Sequence, residues 1–367
     1  MIKRPSLYIS ALLALLFFTA SPIWASNQND IKEEFNAKEF ITEHLADSYE
    51  WHIVSTNTKH IAIPLPVILH SKTTGWHLFS FSHFHHGKNN YKGFEIAAEG
   101  KYKGKIVETD AAGNAIRPLD LSLTKNAASL LFASLLVILI IMGVARSLKR
   151  DPMNPRKGFT GMIEMLVLSI NDEVIRPSIG KDYQRYAPYL LTVFFFIFTN
   201  NLLGLIPLFP GGANVTGNIA ITLVLAVVTF LIVNLTGTKE YYKEILWPDV
   251  PTWLKIPIPL MPIVEIVGTL TKPFALMIRL FANMMAGHSI VLGLTMLIFI
   301  TASLGVAINT SMTVLSVIFT VFIDLVELLI AYIQAYVFTL LSAVFIGLAR
   351  IDSPSAEKKA IETNHAV

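Results

Sequence analysis

The chain has no cysteine, and only 15% of its 367 residues are charged. The first absence excludes disulfides, thiolate nucleophiles and thiolate metal sites together. The second separates the chain from soluble domains, in which about a quarter of residues carry charge. A formal net charge of +3 is too small to point to a nucleic-acid partner. What is present instead is apolar: 53% of residues are hydrophobic and the mean hydropathy is +0.56. These residues gather in uninterrupted runs after residue 126. The expected fold is an all-α polytopic membrane protein with about five membrane helices, the last two long and tilted as a hairpin. An interfacial helix and a polar N-terminal segment complete it.

The N-terminus reads as a secretory signal. Lys3 and Arg4 precede an apolar stretch over residues 7–20, and Ile23-Trp24-Ala25 offers a cleavage site before Ser26. Residues 1–25 are therefore expected to be a signal peptide; the competing reading is an uncleaved anchor. Either sends residues 26–120 across the membrane, into the periplasm of a bacterium. That region has mixed charge, an amphipathic pattern over 36–50 with Phe40, Ile41 and Leu45 on one side, and candidate strands at 61–69 and 75–81. Eight of the ten histidines fall between His44 and His86. Histidine-rich tracts can bind metal, but a site needs a defined geometry, so a polar cap over the membrane part is the preferred reading and no metal or cofactor is assigned.

The membrane domain is expected over 121–350, with spans near 126–146, 187–206, 217–236, 260–304 and 306–350, and a cytoplasmic tail over 351–367. Residues 159–176 mix apolar positions with Glu164, Asp172, Glu173 and Arg176, which suits a helix lying in the interface. Basic residues set the orientation. The loop after the first span carries Arg146, Lys149, Arg150, Arg156 and Lys157, and the 237–256 loop carries Lys239, Lys243 and Lys255. The 207–217 loop has none. With a translocated N-terminus every basic loop falls in the cytoplasm. The last two spans could each reach roughly 65 Å at helical rise, about twice the hydrocarbon thickness, so they must tilt, kink or protrude. Gly268 and Pro273 mark one kink site, and Ser303-Leu304-Gly305 marks the turn between them.

Both long helices carry polar seams. Glu265, Lys272 and Arg279 recur every seven residues, which keeps them on one helical stripe, with Asn283 a turn beyond Arg279. Thr313, Thr320, Glu327 and Gln334 repeat at the same spacing on the partner, with Asp324 nearby. Ionisable groups buried in a membrane are costly, and by default they mark an ion pathway. In an antiparallel hairpin the pairs Arg279/Gln334 and His288/Glu327 both have midpoints within about three residues of Gly305. Each pair should therefore share a depth, with His288 and Glu327 nearer the periplasm and Glu265 toward the cytoplasm. His288 should point away from the Arg279 seam, being half a turn further round. One arginine between polar groups leading to opposite faces suggests two half-paths rather than one pore. Lys272 admits a second reading as a snorkelling side chain, and Arg279 a second reading as half of a structural ion pair with Asp324 or Glu327. Asp324 and Lys272 are held as accessory candidates.

At these residues the chain resembles subunit a of the F-type ATP synthases. The segment Arg279-Leu280-Phe281-Ala282-Asn283-Met284-Met285-Ala286-Gly287-His288 is similar to the family signature around its essential arginine. Ile333-Gln334-Ala335-Tyr336-Val337-Phe338 is similar to the second signature, and Thr199-Asn200-Asn201-Leu202-Leu203-Gly204-Leu205-Ile206-Pro207 to an upstream span. The likeness covers roughly residues 120–350 and says nothing about 26–115. It implies a non-enzymatic stator subunit in a bacterial inner membrane, partnered by a ring of c-subunits, peripheral-stalk b subunits, the rest of the synthase and the lipid bilayer. Protons would pass His288, Glu327 and Asn283, ride the ring, and leave near Glu265. Arg279, held by Gln334, would block a direct leak. The chain has no G-x-x-x-x-G-K-[ST] loop, so ATP chemistry belongs to other subunits. The full histidine–acid pair favours H⁺ over Na⁺ as the carried ion.

Two readings from other classes compete. A proton-coupled secondary transporter would show internal repeats and broken helices around a solute site, and no repeat is present. A membrane metalloenzyme would need clustered ligands, but His288 is the one histidine in the membrane region and no H-E-x-x-H occurs.

Overall fold

The computed structural model describes residues 47–56, 59–84, 89–97, 100–109, 115–150, 157–206, 211–247 and 260–350. The expected signal peptide and the tail beyond 350 lie outside them. The polar region is a small β cap. Strands β1 (Glu50–Thr56) and β2 (Lys59–Pro64) form an antiparallel ribbon. Strands β3 (Pro66–Ser71), β4 (Gly75–Ser80), β5 (Phe94–Ile96), β6 (Ile106–Thr109), β7 (Ala115–Ile116) and β8 (Leu119–Asp120) make two three-stranded antiparallel sheets, ordered β4-β3-β8 and β5-β6-β7. Along β3 the side chains of Val67, Leu69 and Ser71 alternate inward, the period-two pattern of a half-buried strand. Val67 and Leu69 meet a mostly aromatic core of Tyr49, Phe79, Phe81, Phe84, Phe94 and Ile106.

Two expectations for the cap are corrected, and a third is tested only at its end. The strand read over 61–69 is two strands, broken at Leu65 between Pro64 and Pro66, because proline has no N–H for a ladder. The strand read over 75–81 stops at Ser80, and Phe81–Phe84 form a 3₁₀ turn. The helix read over 36–50 lies largely outside the described residues, and Glu50 opens β1 instead. His70, His77 and His83 each face a different ring, those of Trp76, Phe94 and Tyr91. Among the described residues no three histidine or acidic side chains come together to hold a metal ion.

Glu108 links two of the sheets. Its carboxylate accepts from Ser71 Oγ and Thr73 Oγ1, both at 2.6 Å, and these bonds hold it below the usual carboxylate range. A depressed folded-state pKa gives stability that is present above the unfolded value and lost as pH falls through the folded one. The thermal stability of the cap should therefore drop on acidification below the ordinary carboxylate range, and Glu108→Gln should flatten that dependence. A pH series of melting curves on the purified protein checks it.

Among the described residues, five helical stretches are long and apolar enough to cross a membrane: Lys125–Arg150, Gly158–Leu205, Ile219–Thr236, Met261–Leu304 and Val306–Ala349. We name the helices α1 (Lys125–Arg150), α2 (Gly158–Ser169), α3 (Arg176–Ile179), α4 (Tyr183–Leu205), α5 (Ile219–Thr236), α6 (Lys239–Leu246), α7 (Leu260–Thr301) and α8 (Val306–Ala349). A π-helical segment, Ile170–Ile175, joins α2 to α3. The stretch read as an interfacial helix is thus two helices and a π turn. Its Ile170, Val174 and Ile175 are fully buried in the core around α4 and α8, while Asp172 and Glu173 stay exposed. The second span starts at Tyr183 rather than 187, and α6 was not foreseen.

Helices α7 and α8 form the expected hairpin. Thr301 ends α7, Ala302–Leu304 make a 3₁₀ turn, and Gly305 turns the chain at φ +108, a conformation open to glycine and strained for other residues. The cap sits at this same end. Ser48 and Asp47 accept the free N–H groups of Lys125 and Asn126 at 2.8 and 3.0 Å, satisfying donors that a helix start leaves unpaired. Cap and helices belong to one compact unit. At the far end the Thr238 N–H bonds the Ala349 carbonyl at 2.9 Å, and Arg350 pairs with Asp182. There a Cβ on Gly347 would overlap the Ser178 carbonyl oxygen, which is backbone and cannot move cheaply. Gly347→Ala should therefore destabilise the protein by about 1–3 kcal/mol, the usual cost of overpacking. The melting temperature of the purified complex reports it.

Candidate functional site

The site lies where α7 and α8 run side by side, and the helical registers deliver both expected pairs. His288 Nδ1 stands 3.7 Å from Glu327 Oε2. Glu327 is buried, and its Oε1 has no hydrogen-bond partner among the described residues. The separation is too long for a direct hydrogen bond and within ion-pair distance when the histidine is protonated. Nine residues back along α7, Arg279 is level with Gln334, as the hairpin register requires. Here the structure corrects one detail. Gln334 Nε2 donates to the backbone carbonyl of Arg279 at 3.3 Å, not to the guanidinium, so Gln334 fixes the helix and leaves the arginine side chain unheld.

Arg279 is exposed, and its guanidinium has no ion-pair or hydrogen-bond partner among the described residues. The structural ion pair with Asp324 or Glu327 is not formed. Along α7 the exposed neighbours on its side are Ala275, Ala282, Asn283 and Ala286, whereas Leu276, Met277, Leu280 and Met284 are buried against the rest of the protein. The adjacent face of α8 is apolar and exposed, with Phe322, Leu325, Leu329 and Ile333. A permanent charge therefore stands open on a hydrocarbon surface. Half a turn away, His288 is turned inward, as its nine-residue offset demands.

A buried polar group at the cap end was missed. Asn201 on α4 accepts from Thr216 Oγ1 at 2.7 Å and donates to the Ala331 carbonyl at 3.3 Å. Asn214 accepts from the Gly217 N–H at 2.9 Å and reaches Met285 Sδ at 3.5 Å. All three polar residues are at most 6% exposed. They border the histidine: a Cβ on Gly204 would stand 3.5 Å from the Ala213 carbonyl and 3.6 Å from His288 Nε2. Asparagines inside an otherwise apolar span were a visible signal, since unpaired amides there are costly. Gly287 was also overlooked: a Cβ there would collide with Glu327 Oε1.

Asp324 is partly buried one turn from Glu327, within electrostatic reach of Glu327 and His288. Lys272 is not splayed toward lipid. Its ammonium lies 5.6 Å from the centre of the Phe345 ring, a cation–π distance. It lines an open cleft of about 260 Å³ with Asn234, Tyr241, Thr269 and Leu276. Glu265 lies close by, at the end away from the cap, and its charge acts on the Tyr241 phenol, whose pKa burial raises. The eight candidates thus divide into a trio of buried Glu327 with partly buried His288 and Asp324, an exposed Arg279–Asn283 face backed by Gln334, and Glu265 and Lys272 at the opposite end.

Residues 128–347 match the family described as ATP synthase A chain. The chain belongs to the ATP synthase subunit a family. Among its relatives, ATP synthase subunit a 2 of Chlorobaculum tepidum is 44% identical over 249 residues, covering 66% of this chain and 67% of that protein. ATP synthase subunit a of Chlorobium phaeobacteroides is 40% identical, with 67% and 70% covered. That of Myxococcus xanthus is 43% identical, with 63% and 74% covered. Membership in the subunit a family makes the chain an integral membrane component of a multisubunit complex, and it displaces the transporter and metalloenzyme readings. Residues 40–126 match a separate domain family of unknown function, so the cap is an addition to the subunit a core with a family of its own.

Proposed function

We propose that this chain is the proton-translocating stator of an F-type ATP synthase in a bacterial inner membrane, with the cap in the periplasm and residue 350 toward the cytoplasm. The observation that carries the reading is the open, unpaired Arg279 on an apolar face beside the buried His288–Glu327 pair. An arginine cannot discharge itself by losing its proton, so in hydrocarbon it needs an anionic partner that comes and goes. A c-ring whose subunits each bear a carboxylate supplies one.

Protons enter from the cap side through Asn201, Thr216 and Asn214 to His288 and Glu327, with Asp324 as an accessory acid. Asn283 lies between that buried pair and Arg279 in depth, and it faces the ring. A carboxylate protonated there loses its hold on Arg279 and turns into lipid. After nearly a full turn it releases the proton at the opposite end, where Glu265 and the Lys272 cleft lead to the cytoplasm. Arg279 separates the two half-paths, because a proton cannot pass a fixed cation without a carrier. One charge crossing 100 mV yields about 2.3 kcal/mol, so several protons must be summed for each ATP. The nucleotide chemistry lies on other subunits, and the b subunits of the peripheral stalk keep this chain from turning with the ring.

Removing His288 tests the inlet. His288→Ala should lower ATP-driven acidification of inverted vesicles by about 10–100-fold, the usual contribution of a positioned proton-transfer group, with the complex still assembled. Parental pumping in an assembled His288→Ala complex would remove the cap-side half-path from the reading.

A further inference from the structure

Besides the bonds of Ser48 and Asp47 to the start of α1, the cap meets the helices at a tightly built point. Trp51, on β1, is 5% exposed, and its indole N–H donates to the Gly211 carbonyl at 3.1 Å. The ring packs on Ala213 and Val215, with Ala128 and Leu130 of α1 and Ile221 of α5 around it. Residues 211–217 belong to the connection between α4 and α5. The Gly212 N–H returns to the Leu203 carbonyl at 3.2 Å, and a Cβ on Gly211 would stand 2.6 Å from the same carbonyl. The loop is thus pressed against the end of α4 from below and against Trp51 from above.

The same loop carries Asn214 and Thr216. Through them it holds Met285, three residues before His288, and Asn201, which is tied to Ala331 one turn after Glu327. Ala213 lies beside Gly204 and His288. The indole therefore sits on a loop that holds the histidine's helix at Met285 and, by way of Asn201 on α4, the acid's helix at Ala331. We infer that Trp51 is a positioning residue for the inlet. The cap, through this one side chain, clamps the 211–217 loop so that the buried amides stay aligned over His288 and Glu327 and bulk water reaches the pair only along that line. The cap thereby sets how the ion path opens to its own side of the membrane. The inference rests on the half-path reading above.

The absence of native cysteine makes the test direct. Val215→Cys places a thiol, smaller than the side chain it replaces, under the indole. In the intact complex in membrane vesicles it is labelled with a membrane-impermeant maleimide from the cap side, with Trp51 unchanged, as Trp51→Phe, and as Trp51→Ala. Trp51→Phe keeps a smaller aromatic ring and removes the donor, so it serves if the alanine variant does not assemble. We expect slow labelling with Trp51, an intermediate rate for Trp51→Phe and about tenfold faster labelling for Trp51→Ala, as expected when a local opening becomes easier. In the background with Val215, passive proton flux through vesicles stripped of the catalytic head should change its dependence on cap-side pH in both variants.

Unchanged labelling in an assembled variant overturns the clamp. Faster labelling with an unaltered flux profile also overturns the inference, because Trp51 would then be structural only. His288→Ala in the same stripped vesicles separates the two levels. If its flux equals the parent's, the half-path reading fails, whatever Trp51 does.

Discussion

Gly287→Ala should lower ATP-driven proton pumping on the order of 100-fold, the scale of loss when a catalytic group is displaced by about an ångström. The added methyl would overlap Glu327 Oε1 and lie 2.8 Å from the carboxyl carbon. The obstacle is the end of a flexible side chain, so the helices need not part; Glu327 swings away instead. The 3.7 Å approach to His288 Nδ1 is then lost while the fold survives. A second change checks the cause: Glu327→Asp draws the carboxylate back by one methylene. In the Gly287→Ala background it should recover part of the pumping, although by itself it lowers it. Pumping assays on inverted vesicles, with co-purification of the other subunits as the assembly control, decide the matter. Parental pumping by Gly287→Ala would show that the pair need not be held as close as it is seen.

The hairpin and its two level pairs were legible because they follow from helix geometry alone. Fixed rise and 3.6 residues per turn carry register from Gly305 to His288 and Glu327 without knowledge of any other contact. The same arithmetic gave Arg279 and Gln334 a common depth, but depth does not choose an atom. The bond went to the backbone carbonyl, because the half-turn separating Arg279 from His288 leaves the guanidinium on the outer face. Chain ends and breaks were read less well. The π turn at Ile170–Ile175 falls inside the stretch read as one interfacial helix, and nothing in the pattern of charged and apolar residues there marks it.

The cap was the least legible part. Its strands run from two to seven residues, too short for alternation to fix a boundary, and Leu65 between two prolines interrupts a run that otherwise reads as one strand. Trp51 and Gly211 are 160 residues apart, and no local pattern links an indole to a carbonyl at that distance. Asn201, Thr216 and Asn214 belong to the same class. Their types announce a polar need within an apolar setting, while their partners are chosen by the packing of α4, α7 and α8.

The mechanism turns on Arg279, and the expected effect of removing it is the largest of all. Its side chain bonds nothing among the described residues, so Arg279→Ala should leave the helices packed and the complex assembled. Pumping should nevertheless fall to background, because nothing remains to draw an ionised ring carboxylate into place or to part the half-paths. Arg279→Lys should rescue little: an ammonium lacks the planar fork and can surrender its proton in a low-dielectric site. The decisive measurement is ATP-driven acidification of inverted vesicles together with passive proton flux after the catalytic head is stripped, for parent and Arg279→Ala. The mechanism predicts no acidification and a passive leak at least as large as the parent's. Acidification at the parental level by an assembled Arg279→Ala complex would contradict it at its central residue.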